Sequence, residues 1–89
     1  MRLDQWLCDV RVFRSRTLAA EAIKSGQVMA NGDVCKPAHL LRIGELVIVR
    51  FRDQEKAWRV VGFPRSRVGA KLVPQYAEVV VYGASVPQH

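Results

Sequence analysis

Little in this sequence can do covalent chemistry. It has two cysteines, Cys8 and Cys35, and two histidines, His39 and His89. Two distant thiols with no CxxC pair make no disulfide framework, which points to a reducing compartment. Cys8, Cys35 and His39 offer at most three soft ligands without paired spacing, so neither a metal site nor a cofactor is expected. Both thiols read as small apolar fillers. A Ser/His/Asp or Cys/His arrangement would rest on His39 alone, because His89 lies at the chain end. Asp4 and Asp9 are too far round a helix to act as a carboxylate pair, and no Walker or dinucleotide loop is present. Taken together, these absences argue against an enzyme. No apolar run approaches the roughly eighteen residues of a membrane span, and Arg2, Asp4 and Asp9 interrupt any signal-peptide core. A soluble, cytoplasmic protein with no membrane partner is expected.

What the chain does have is charge. Its 89 residues carry a formal +6 and a pI near 10.0, a balance that attracts polyanions. Residues 1–24 hold five basic and three acidic groups, residues 25–52 four and two, and residues 53–89 five and three. Each third is therefore +2, so a basic surface has to be assembled by folding. With 49% hydrophobic content this length makes one small domain around a thin core.

Leu3, Trp6, Leu7 and Val10 share one helical face, with Asp4, Gln5 and Asp9 on the polar face, which predicts a helix over about 2–11. Ser15 is the N-cap candidate of a second helix, with Leu18, Ala19, Ala22 and Ile23 as its buried stripe. Lys24 suits its last turn and Gly26 its left-handed C′ position. The period then becomes two. Asn31-Gly32 is the turn of a hairpin between Val28–Ala30 and Asp33–Lys36, ended by Pro37.

Leu40, Leu41 and Ile43 read as core anchors before a tight turn at Gly44, and Leu46–Phe51 as the most buried strand. Arg52–Lys56 reads as a loop, Ala57–Phe63 as the returning strand, and Gly62 as a bulge or bend. Pro64-Arg65-Ser66-Arg67 is a second basic turn. Val68–Val73 is predicted as a helical turn stopped by Pro74, Glu78–Tyr82 as a strand, and Ala84–His89 as a frayed end. Trp6 belongs to the core stripe, Trp58 can face either way, and the paired aromatics of a base-stacking sheet are missing.

Arg11, Arg14 and Arg16 lie just before the second helix, whose N-terminus already carries about half a positive charge. Each badly placed cation there costs roughly 0.3–1 kcal/mol. A bound anion would compensate them, because backbone N–H groups and guanidinium forks together make a phosphate site. Reversing Arg14 and Arg16 together is then expected to abolish retention of a phosphate-bearing polyanion without lowering stability. A helix-turn-helix reading, with DNA as the partner, is disfavoured. The arginines precede the second helix, and its body, LAAEAIKS, has few side chains able to read base edges.

Arg2-Leu3-Asp4 with Leu7, Ser15-Arg16, Ala19, Ile23, Gly26, Val28, Asn31-Gly32, Lys36-Pro37 and Ile43-Gly44 form an ordered set. It resembles the S-four RNA-binding domain, named for small-subunit ribosomal protein four, over about residues 2–51. Arg2 to Leu7, Arg14-Ser15-Arg16, Leu18 to Glu21 and Lys36-Pro37 most resemble the ribosome-associated fifteen-kilodalton heat-shock proteins. Ala20 stands where many members carry a longer polar or basic residue, and the sequence stops at His89 where the heat-shock group continues with a long basic extension.

The resemblance implies an α+β fold of the αL type, two N-terminal helices packed on a small twisted antiparallel sheet. The RNA-binding domain would span 2–63, with 64–89 packing on it or trailing from it. It implies a non-catalytic, monomeric protein of bacterial type acting in translation. Its partner would be structured RNA, rRNA or tRNA, with a link to the large ribosomal subunit or stalled ribosomes. The RNA face would be Arg2, Arg14, Ser15, Arg16, Thr17, Lys24, Asn31 and Lys36, with Arg11 added from the charge argument. The competing reading is a protein-interaction module or accessory subunit of an RNA-modifying or translation complex.

Overall fold

Residues 1–80 are described by a computed structural model of the chain. Two helices, α1 (Leu3–Asp9) and α2 (Arg16–Lys24), precede five strands: β1 (Val28–Ala30), β2 (Asp33–Val34), β3 (Leu46–Phe51), β4 (Gln54–Val60) and β5 (Ala77–Val80). The strands form one antiparallel sheet in the order β2-β1-β3-β4-β5. This is the α+β arrangement expected, two N-terminal helices packed on a small antiparallel sheet.

Alternation along the strands decides which side chains meet the helices. Val28, Val47, Val49, Val60 and Ala77 point into one core with Leu3, Trp6, Leu7, Val10, Ala19, Ala22, Ile23 and Leu41. Ile48 points the other way, opposite Met29 and Ala57. Trp6 is fully buried, and its indole Nε1 donates to the Gly62 carbonyl at 3.1 Å. Gly62 serves close approach: a Cβ there would stand 2.9 Å from the Gln75 carbonyl oxygen. Val61 and Gly62 both donate backbone N–H groups to the Tyr76 carbonyl, which draws residues 75–80 onto the sheet.

Helix α1 is shorter than predicted, and Asp4 and Asp9 are buried rather than on a solvent face. Two segments remote in sequence cover them. Pro37 and His39 carbonyls accept from the Asp4 and Leu3 amides at one end of α1, and the Asp9 carbonyl accepts from Val68 at the other.

Leu18 is exposed, because the α2 stripe narrows to Ala19, Ala22 and Ile23. Leu40 and Ile43 are exposed too; in that extended segment only Leu41 turns inward. The return strand after Gly32 is two residues long. The Arg52–Lys56 loop contracts to Arg52-Asp53, since Arg50 pairs with Glu55 and Lys56 lies over the Phe51 ring, which lets polar residues extend β4. Pro74 sits inside a 3-10 helix (Ala70–Gln75) instead of ending it. That turn is closed by Leu72 and Tyr76 amides and needs no donor from Pro74. Val81, Tyr82 and the predicted frayed end lie outside the described residues.

Candidate nucleic-acid interface

The buried carboxylate of Asp4 organises the basic end of the molecule. Arg2 grips it with two bonds, Nε to Oδ1 at 3.1 Å and Nη2 to Oδ2 at 3.0 Å, and Arg16 Nε stands 3.4 Å from Oδ2. The Asp4 side chain is 4% exposed, while those of Arg2 and Arg16 are 44% and 49% exposed. One buried anion thus holds two half-exposed cations, leaving a net positive charge and most of their N–H donors toward solvent. The expectation that a bound anion compensates Arg11, Arg14 and Arg16 is corrected for Arg16, whose counter-ion is the chain's own Asp4.

Helix α2 begins as the sequence indicates. Ser15 Oγ accepts from the Leu18 amide at 3.1 Å, the N-cap bond. Arg14 and Thr17 beside it are exposed, and Arg14 has no ion pair or hydrogen-bonded side-chain partner among the described residues.

Arg11 carries an unexpected strain. Both helices end in a Schellman motif: Gln27 N–H to the Ala22 carbonyl and Gly26 N–H to that of Ile23 in α2, Val12 N–H to Leu7 and Arg11 N–H to Cys8 in α1. The left-handed residue is Gly26 in α2, at φ 83°, but Arg11 in α1, at φ 69°. A non-glycine residue in that region costs on the order of 1–2 kcal/mol.

The remaining predicted residues are more scattered. Lys36 is exposed on the segment whose Pro37 carbonyl meets Asp4 N–H, which places it beside the Arg2–Asp4–Arg16 group. Asn31 is pinned: its amide donates to the Leu46 carbonyl at 2.8 Å and its Oδ1 accepts from the Leu46 amide at 3.1 Å. Lys24 lies at the opposite end of α2 from Arg16, about 12 Å along the axis at 1.5 Å per residue. Arg2, Arg14, Ser15, Arg16, Thr17 and Lys36 therefore gather at one end, with Arg11 at the far end of α1 and with Lys24 and Asn31 apart.

Sequence reasoning missed both anions and one cation. Asp9, 7% exposed, feels the attraction of Arg16 and Arg67 without an ion pair to either, and its Oδ2 has no hydrogen-bond partner. Burial raises its pKa above the ordinary 3.8 despite a hydrogen bond from Gln5 and the attraction of Arg16 and Arg67. Arg67 Nε donates to the Cys8 carbonyl at 3.2 Å. A basic turn was legible at 64–67; that it would dock on α1 was not.

His39, the lone catalytic candidate, is engaged with buried Glu45 at 2.6 Å, whose other oxygen accepts from the Arg42 amide. Burial raises the Cys35 pKa, which disfavours a thiolate there. Among the described residues no group of three His, Cys, Asp or Glu side chains is placed to hold a metal ion, and no helix is long and apolar enough to cross a membrane.

Residues 1–47 match the model of the S4 domain. The chain belongs to the S4 domain family. All nine sequence-predicted contact residues fall inside this S4 match, and Arg65 and Arg67 fall outside it.

Among S4 relatives, the heat shock protein 15 homolog of Haemophilus influenzae is 30% identical over 70 residues, covering 79% of this chain and 53% of its own. The RQC P-site tRNA stabilizing factor of Halalkalibacterium halodurans is 37% identical over 51 residues, 57% of this chain and 58% of its own. The trimeric structure of Vibrio cholerae heat shock protein 15 superposes with a TM-score of 0.84 at 30% identity, over 90% of this chain and 81% of that one. The likeness to the fifteen-kilodalton heat-shock group is thus shared by sequence and fold. The chain spans about half the length of the curated heat-shock relatives it matches.

Proposed function

We propose that this S4 chain is a small, non-catalytic RNA-binding protein that recognises the shape and phosphate backbone of structured rRNA or tRNA in the cytoplasm. The observation that carries this reading is the Arg2–Asp4–Arg16 group beside free Arg14 and the capped start of α2. Two guanidinium groups fixed by a buried carboxylate present ordered forks for phosphate oxygens. The tRNA-stabilizing and heat-shock names of the relatives favour a ribosomal setting, at the large subunit or on stalled ribosomes. Residues 2–63 would form the RNA-binding domain, with 64–80 as an extension packed on it. The contact set is Arg2, Arg11, Arg14, Ser15, Arg16, Thr17 and Lys36, with Lys24 and Asn31 at its margins.

The test is titration of unfractionated tRNA and large-subunit rRNA across a salt series. About five phosphate contacts give a slope of log K against log salt of roughly −3 to −5. Arg14→Glu is expected to weaken binding strongly while leaving thermal stability unchanged. Reversing Arg16 as well would set a second carboxylate against Asp4, so the double variant is expected to lose stability. Equal RNA binding by Arg14→Glu and the parent would refute the reading. The monomer expected from the sequence is checked by light scattering, against the trimer named for the Vibrio relative.

A further inference from the structure

We propose that the Pro64–Arg67 turn is a second arm of the RNA surface, joined to the first at the C-terminal end of α1 and contacting a separate stretch of the phosphodiester backbone. This rests on the RNA-binding reading above.

The turn is built onto the helix rather than trailing from the sheet. Pro64 is buried, Arg67 Nε bonds the Cys8 carbonyl at 3.2 Å, and the Val68 amide bonds the Asp9 carbonyl at 3.0 Å. Arg11 Nη1 closes the junction on the Val68 carbonyl at 3.4 Å. Helix α1 has no basic residue in its own last turn; the Asp9 carbonyl accepts from the Val68 amide, and the Cys8 carbonyl, already bonded by Arg11 N–H, accepts from Arg67 as well, both donors 59 residues further along the chain. Asp9 ties the arms electrostatically, because Arg16 of the first and Arg67 of the second both act on it.

Capping the helix requires Arg67 and Val68 only. Arg65 and Ser66 are exposed, and Arg65 has no partner among the described residues. The turn adds Arg65 and Arg67 to a junction that already holds Arg11, and Arg16 of the first arm acts with Arg67 on the one nearby carboxylate, Asp9. So dense a positive surface is suited to a polyanion wider than one phosphate group.

Arg65→Ala and Arg65→Glu separate RNA contact from helix capping, since neither touches a bond of the fold. In the same tRNA and rRNA titrations, Arg65→Ala is expected to weaken binding and make the log–log salt slope less steep by about 0.7–0.9, the loss of one phosphate contact. Arg65→Glu is expected to weaken it further, with melting unchanged in both. An unchanged slope and affinity in both Arg65 variants, while Arg14→Glu loses binding, would overturn the second arm and leave the first intact. Failure of the parent protein to bind either RNA would remove both.

Discussion

Replacing Arg11 by glycine is expected to move stability and RNA binding in opposite directions. At φ 69° an L side chain costs about 1–2 kcal/mol, which glycine would relieve. Against that stand the larger backbone entropy of glycine in the unfolded chain, about 0.5–1 kcal/mol, and a few tenths of a kcal/mol for the exposed 3.4 Å bond from Arg11 to Val68. The net gain centres on about 0.5 kcal/mol, which for a domain of this size raises Tm by roughly 2–4 °C. Calorimetry and denaturant titration measure it. The same variant is expected to bind RNA more weakly, with a salt slope shallower by about 0.7–0.9. The mirror variant, Gly26→Arg, supplies the control. A Cβ at Gly26 would meet open space, so its expected loss of about 1 kcal/mol is conformational alone. A fall in Tm for Arg11→Gly, or unaltered RNA binding, would refute the view that strain is retained at Arg11 to hold a cation in place.

Two further variants address the buried carboxylates. Asp4→Asn raises the net charge by one, so attraction by total charge alone predicts tighter RNA binding. Fixation of Arg2 and Arg16 by Asp4 predicts weaker binding, with about 1–2 kcal/mol of stability lost, discounted from the buried-pair range because both arginines are half exposed. Filter binding and urea denaturation decide between them. For Asp9, burial raises the pKa in the folded state, so folding takes up a proton as pH falls through that raised value. The ionised form therefore opposes folding at neutral pH. Asp9→Asn is expected to be more stable than the parent at pH 7, the difference closing as pH falls to the ordinary carboxylate value of 3.8 and below. Melting curves across this range test the sign.

Local signals in the sequence were reliable where the physics is local. The Ser15 cap, the Gly26 stop and the Asn31-Gly32 hairpin are each settled by one or two residues, and each stands in the structure. Residues whose fate depends on distant segments were misread. Asp4 and Asp9 occupy the polar face of α1, and only the arrival of residues 37–39 and 67–68 buries them. The exposed Leu40 and Ile43 show the same limit, since apolar character alone does not say which neighbours of Leu41 turn outward in an extended segment. In the candidate site, Arg2 and Arg16 could be selected as basic residues, but not as partners of one carboxylate, Asp4, two positions from the first and twelve from the second.

The role of that carboxylate changes what the arginines are worth to a ligand. A free arginine on a surface has up to about 2 kcal/mol of rotamer entropy to lose on binding. Asp4 takes part of that freedom from Arg2 and Arg16 when the chain folds, and its own burial is offset by the bonds they make to it. The exposed N–H groups are left partly ordered, so a phosphate meeting them has less freedom to remove. Arg14, without such a partner, supplies charge and not geometry. A binding face built this way distinguishes phosphates at one spacing from a diffuse polyanion. For that reason Asp4→Asn should lose more affinity for folded tRNA than for an unstructured polynucleotide of equal length.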